Sequence, residues 1–213
     1  MKFPFFASFI IFGLVLHHAI NRNNKIQNKN EESFWERENA ANNVRKQSLD
    51  SLNYISFSTE NFLLEQLIGK ENADKVSTNN PRVLEIIEDM YRLANVKKVN
   101  LSYMTNTDLK FAYGVANLQT LSEYDQNYSE LITLLQEYAV LLKEAGFAKE
   151  SLPILEYAIS IGTDISATYQ MCASIYQEQH TPEKILELIL SAEKILSSRK
   201  DAIIRMLKEL ECV

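Results

Sequence analysis

The sequence predicts an all-α protein, and three observations carry that expectation. Five Gly and four Pro in 213 residues leave long stretches free of helix breakers. Apolar residues form stripes at helical spacing, as in Val83, Ile86, Ile87, Met90 and Ala94. The stretch GFAKESLPILEYAISIG, residues 146–162, also returns as HTPEKILELILSAEKIL, residues 180–196. Leu155, Ala158 and Ile161 are thereby answered by Ile189, Ala192 and Ile195 at a fixed spacing of 34. The expected order is an anchor over 1–20, a polar juxtamembrane spacer and exposed helix over 21–58, a helical region over 59–128, and repeated hairpins with a capping helix over 129–213.

The first twenty residues form a separate object. FPFFASFIIFGLVLHHAI, residues 3–20, carries no formal charge and spans about 27 Å as a helix, against a bilayer core of about 30 Å. A cleaved signal peptide is the rival reading, but the nearest cleavage site, after Ala19, puts His17 where a small residue is needed. The expectation is therefore an uncleaved transmembrane helix that contacts the lipid bilayer through residues 3–20. Arg22, Lys25, Lys29 and Arg37 on its C-terminal side outnumber Lys2 on the other, which favours a cytoplasmic C-terminal region. His17 and His18 point about 100° apart on a helix and read as polar residues at headgroup level.

NRNNKIQNKN, residues 21–30, holds five Asn and three cations and reads as a solvated spacer without an apolar face. Residues 31–58 alternate acid and base around Phe34, Trp35, Val44, Leu49 and Leu52, the pattern of an exposed helix. Thr59 is placed to cap TENFLLEQLIG, which Gly69 ends, and Asn80 with Pro81 opens a helix over 81–96. A further helix starts near Thr107 and Asp108, with Gly114 interrupting it. Tyr103, Phe111, Tyr113, Tyr124 and Tyr128 read as packing residues, and the sequons at Asn100 and Asn127 matter only in an exported, glycosylated protein.

Laying residues 132–165 over 166–199 aligns Leu135 with Tyr169, Ala139 with Ala173, Leu142 with Tyr176 and Gly146 with His180. Thr181 and Pro182 supply a helix start, Gly162 a helix end, and Pro153 places the start of its own helix near Glu150 or Ser151. Ile203, Met206, Leu207 and Leu210 give a last helix its apolar side, with Asp201, Arg205, Lys208 and Glu209 outward. About three stacked repeats are needed for stability, so helices at 81–96 and 107–126 are expected to cover the other end.

A two-helix unit of 34 residues with a small residue in its first helix, a tight turn, and a large apolar residue and Ala three apart in its second resembles the tetratricopeptide repeat (TPR). The usual Trp and turn Pro are replaced by Leu135 or Tyr169 and by Thr163 or Ser197. With the anchor, the Trp35-Glu36-Arg37-Glu38 segment and the Thr105-Asn106-Thr107-Asp108-Leu109 stretch, the whole chain resembles uncharacterised bacterial membrane-anchored TPR proteins. The resemblance implies a concave groove for a protein or peptide segment. Thr133, Gln136, Glu137, Val140 and Lys143 would line it from the first repeat, and Ala167, Gln170, Met171, Ser174, Gln177 and Glu178 from the second. Ile204, Arg205 and Lys208 would contribute from the cap. The carboxylate clamp of some relatives would fall on Gln136, Val140, Met171, Asp201 and Arg205, of which only Arg205 fits.

Net charge is −6, and because Lys2 is the only charge before Arg22, the rest carries −7, which disfavours nucleic acid. The three histidines, His17, His18 and His180, form no catalytic set, no Gly-rich phosphate loop occurs, and Cys172 has no evident base. The expected function is a non-enzymatic adaptor without a cofactor or metal, holding a cytoplasmic protein partner at the membrane. The alternatives are an accessory subunit of a membrane enzyme or translocation complex, and an exported assembly factor.

Overall fold

The structure, a computed structural model, describes residues 4–211, with side chains at Phe12 and from Val15 onward. Among the described residues it is all-helical, with a repeat-like arrangement and no strand. Ten α-helices follow in order: α1 Pro4–Asn42, α2 Leu64–Ile68, α3 Lys70–Asn79, α4 Arg82–Ala94, α5 Asn106–Tyr113, α6 Leu118–Glu144, α7 Leu152–Ser160, α8 Ser166–Glu178, α9 Pro182–Ala192 and α10 Lys200–Glu211. They divide into two compact units. The first comprises the first 48 residues with Asn106–Leu118, and the second Leu49–Thr105 with the chain from Gln119 onward.

In the first unit, α1 runs through the expected spacer without a break. No Gly or Pro occurs between Gly13 and Gly69, so nothing local stops the helix, and residues 21–30 are helical and exposed rather than an irregular linker. The helix ends at Asn42, so the exposed helix expected over 31–58 is shorter than its sequence suggested. Among the described residues no helix is long and apolar enough to cross a membrane. Most side chains of the apolar run 3–20 lie outside the described residues.

Helix α5 packs on the C-terminal part of α1. Glu38 accepts hydrogen bonds from Lys110 Nζ and, at 2.8 Å, from Thr107 Oγ1. Arg37 donates to Asp108 Oδ1 at 2.5 Å. The two stretches that the sequence set apart, 35–38 and 105–109, thus meet. Gly114 stands where the chain leaves α5. Its φ is +82°, and a Cβ there would lie 2.5 Å from the Arg45 carbonyl oxygen, so glycine is required by both conformation and space. Asn117, buried, donates to the Gln47 and Tyr113 carbonyls.

In the second unit, α3 was not anticipated, because Lys70–Asn79 offers only Ala73 and Val76 as buried apolar residues. The segment before it is a 3-10 turn and the short α2, and Thr59 makes no side-chain cap. Leu52 and Phe57 are buried in the chain expected to be an exposed helix. Phe57 and Phe62 stack at 5.8 Å and both meet Tyr157, whose hydroxyl donates to the Ser56 carbonyl. Helix α4 buries Val83, Ile86, Met90 and Leu93.

The expected covering helix over 107–126 is not one element. Residues 106–113 form α5 of the other unit, whereas 118 onward is continuous with the first repeat helix, because no breaker lies between Gly114 and Gly146. Of the five aromatics read as packing residues, Tyr128 is buried, but Tyr103 and Phe111 are exposed.

In α6 to α10 most apolar positions matched by the 34-residue spacing are buried alike, and α7, α9 and α10 all pack on α8. Ala139, Ala173, Ala158 and Ala192 are fully buried, as are Leu135, Tyr169 and Leu155. The turn after α6 and the turn after α8 are built alike. Phe147 N donates to the Leu142 carbonyl and Thr181 N to the Tyr176 carbonyl, while Gly146 N and His180 N donate to those of Lys143 and Gln177. This is a left-handed helix C-cap, with φ +91° at Gly146 and +56° at His180, and the turn after α7 repeats it at Gly162, φ +83°, where Thr163 N donates to the Ala158 carbonyl. Pro153 falls in the first turn of α7, where its missing N–H costs nothing. Thr181 makes no cap to α9; its hydroxyl donates back to the Tyr176 carbonyl at 3.2 Å. Ile203 and Leu207 of α10 complete the core.

Candidate binding cleft

A cleft of about 510 Å³ opens between α6 and α8, lined by Gln136, Val140, Lys143 and Glu144 of the first and Ala167, Gln170, Met171 and Ser174 of the second. Its geometry follows from the repeat. Ala139 and Ala173 are buried in the core, and Val140 and Ser174, one position on, point about 100° away and line the cleft. Met171 is only 7% exposed and forms the floor, and Val140 is half-buried. Gln136 Oε1 accepts a 2.7 Å hydrogen bond from Thr168 Oγ1, itself fully buried, which fixes α6 against α8 beneath the cleft. Lys143 and Glu144 place one charge of each sign on the rim.

Seven residues placed in a groove by the sequence therefore line one cleft, together with Glu144, which the sequence reading passed over. Its signal was the four-residue spacing from Val140. The other seven lie elsewhere. Glu137 accepts from Arg82 Nε at 2.8 Å and Nη2 at 3.1 Å, so it faces α4. Arg82 holds its carboxyl below the usual range. Gln177 donates to the Leu210 carbonyl of α10, and Thr133 to the Ser129 carbonyl of its own helix. Ile204 packs against the core, while Glu178, Arg205 and Lys208 are exposed outside the lining.

A second hollow, about 420 Å³, lies between α3 and the end of α6, with Asn72, Lys75, Val76, Asn79 and Asn80 opposite Leu141, Glu144, Ala145 and Phe147. It could not be foreseen without α3. Two more hollows, of about 590 and 490 Å³, are lined by α1 alone and have no second wall, so they cannot enclose a small ligand.

Among the described residues no group of three or more His, Cys, Asp or Glu could hold a metal ion. His17 pairs with the Asn21 amide at 2.9 Å, one turn along the same helix. Cys172 is fully buried, and burial pushes its thiol up to about 12, away from the thiolate a nucleophile needs. Cys212 lies outside the described residues. The sequon amides are engaged: Asn100 Nδ2 donates to the Tyr128 hydroxyl and the Gly162 carbonyl, and Asn127 Nδ2 to the Lys97 carbonyl. No family model, curated protein or solved structure matches this chain.

Proposed function

We propose that this chain is a membrane-anchored adaptor, similar in design to TPR proteins, whose α6–α8 cleft holds a peptide segment of a cytoplasmic protein. The cleft carries the reading. It lies between the first helices of two hairpins 34 residues apart, with a Met floor, amides on its walls and charges confined to the rim. An apolar floor with amide walls suits an extended or helical segment, which brings an apolar anchor and unpaired backbone groups. The anchor is residues 3–20, and the cations of 22–37 keep the following chain on the cytoplasmic side.

The test is co-purification of the full-length protein with its partner from solubilised membranes. Val140→Glu puts a charge on the half-buried wall and abolishes recovery while the circular-dichroism melting curve is retained. Met171 is too deeply buried to serve as the first variant. Undiminished recovery with Val140→Glu and with Gln170→Lys would contradict the cleft.

A further inference from the structure

We propose that α1 pairs in parallel and in register with α1 of a second copy of this chain. The face concerned was hidden in the sequence, because residues 21–30 read as a spacer. Once they are helical, Phe12, Leu16, Ala19, Asn23, Ile26 and Asn30 recur at intervals of 4, 3, 4, 3 and 4, the repeat of a two-stranded seam. Leu16, Asn23 and Asn30 form one column seven residues apart, and Phe12, Ala19 and Ile26 the other. The face is bare: Phe12 is 64% exposed, and Leu16 and Ile26 are each 49% exposed. Arg37 continues the first column, and there α5 takes over through Asp108.

Phe12, Leu16 and Ala19 lie in the proposed anchor, where lipid covers them, so the part that calls for a partner is Asn23, Ile26 and Asn30, and two arguments assign it to this same helix. Asn ranks low among helix formers, so propensity alone gives this stretch little support between the anchor and the part of α1 that α5 packs. Five Asn between 21 and 30 in a segment exposed on all sides thus call for a partner. The seam is also self-complementary. An amide carries both donor and acceptor, so Asn23 and Asn30 each pair with their own counterpart across a two-fold axis, which fixes register as buried seam asparagines do. Along the edges of a parallel pair, Arg22 meets the second copy's Gln27 and Lys29 its Phe34, so no like charges face one another. The second helix also supplies the missing wall of the hollow lined by Val15, Ala19, Asn23 and Ile26.

The parallel sense rests on the anchor reading, since both chains then enter the bilayer from one side. The test uses the full-length chain in mild detergent, with Cys212→Ser, Cys172 left in its buried place and one cysteine added at position 23, 30, 24 or 28, oxidised to disulfides. Asn23→Cys and Asn30→Cys each give a product of twice the 24.5 kDa chain, at least tenfold more than Asn24→Cys or Asn28→Cys on the far side. Ile26→Lys, at an exposed position, abolishes the product. No position dependence, or crosslinks to a different protein, would overturn the pairing and leave the anchor reading intact. Crosslinks formed only between Asn23→Cys and Asn30→Cys chains when mixed would show antiparallel helices and overturn the pairing and the shared anchor direction together.

Discussion

Arg82 of α4 grips Glu137 of α6 with two hydrogen bonds, 2.8 and 3.1 Å, across 55 residues of sequence. Ten residues on, Arg92 repeats the link to Glu130. The paired links hold α4 along α6, which gives the first repeat helix a neighbour that two repeats alone would lack. Because Glu137 is ionised and paired, its folded pKa lies below its unfolded one. Its contribution is present above the ordinary glutamate pKa and is lost as pH falls through the depressed folded value. Urea denaturation from pH 7 to pH 3 therefore shows a shallower acid decline for Glu137→Gln than for the wild type, starting from a lower stability at pH 7.

The two matched turns predict opposite responses to substitution. Gly146 has open space where a Cβ would go, so Gly146→Ala costs about 1 kcal/mol for the left-handed conformation alone. His180 occupies the same place at φ +56°, and His180→Gly stabilises by a few tenths to about 1 kcal/mol. Gly114→Ala is the contrasting case, costing more than Gly146→Ala because its Cβ meets the Arg45 backbone. Midpoints of urea denaturation rank the three variants.

Lys98 is 1% exposed and has a structural task. Its Nζ donates to the Leu93 and Val96 carbonyls at 2.5 and 2.7 Å, satisfying acceptors at the end of α4, and burial lowers its pKa. Lys98→Met keeps the stem but leaves two carbonyls without that donor, and destabilises by about 1–3 kcal/mol. Thermal denaturation of this variant beside the exposed control Lys194→Met separates loss of the cap from loss of charge.

Cys172 reports on global opening. With its thiol buried and pushed up to about 12, it reacts with a neutral-pH maleimide only when the second unit unfolds. In a Cys212→Ser background, labelling should be negligible without denaturant and should follow the unfolding transition measured by circular dichroism.

The sequence foretold the parts of the fold that depend on local pattern. Helices α8 and α9 were legible because Pro182 marks a start and Leu188, Ile189 and Ala192 recur on one side. Gly146 marked its turn, although His180 showed the same turn only by alignment with it. What was not legible depends on distant partners or on missing signals. Glu38 and Lys110 are 72 residues apart, and no local spacing announces their pairing. Helix α3 has only two buried apolar residues, and the Asn-rich part of α1 reads as linker by composition although no breaker interrupts it. In the cleft, helical periodicity brought seven of the fourteen expected groove residues into one lining, but it could not tell that Arg82 claims Glu137 or that Leu210 claims Gln177.

The most direct measurement is site-specific photocrosslinking in intact cells, with a photoreactive residue replacing Gln170 in the cleft or Leu190 on exposed α9. The adaptor account predicts one discrete protein crosslinked from position 170, absent from position 190 and lost when Val140→Glu is added. Equal crosslinking from both positions, or a position-170 product that survives Val140→Glu, would contradict the claim that this cleft is where the partner is held.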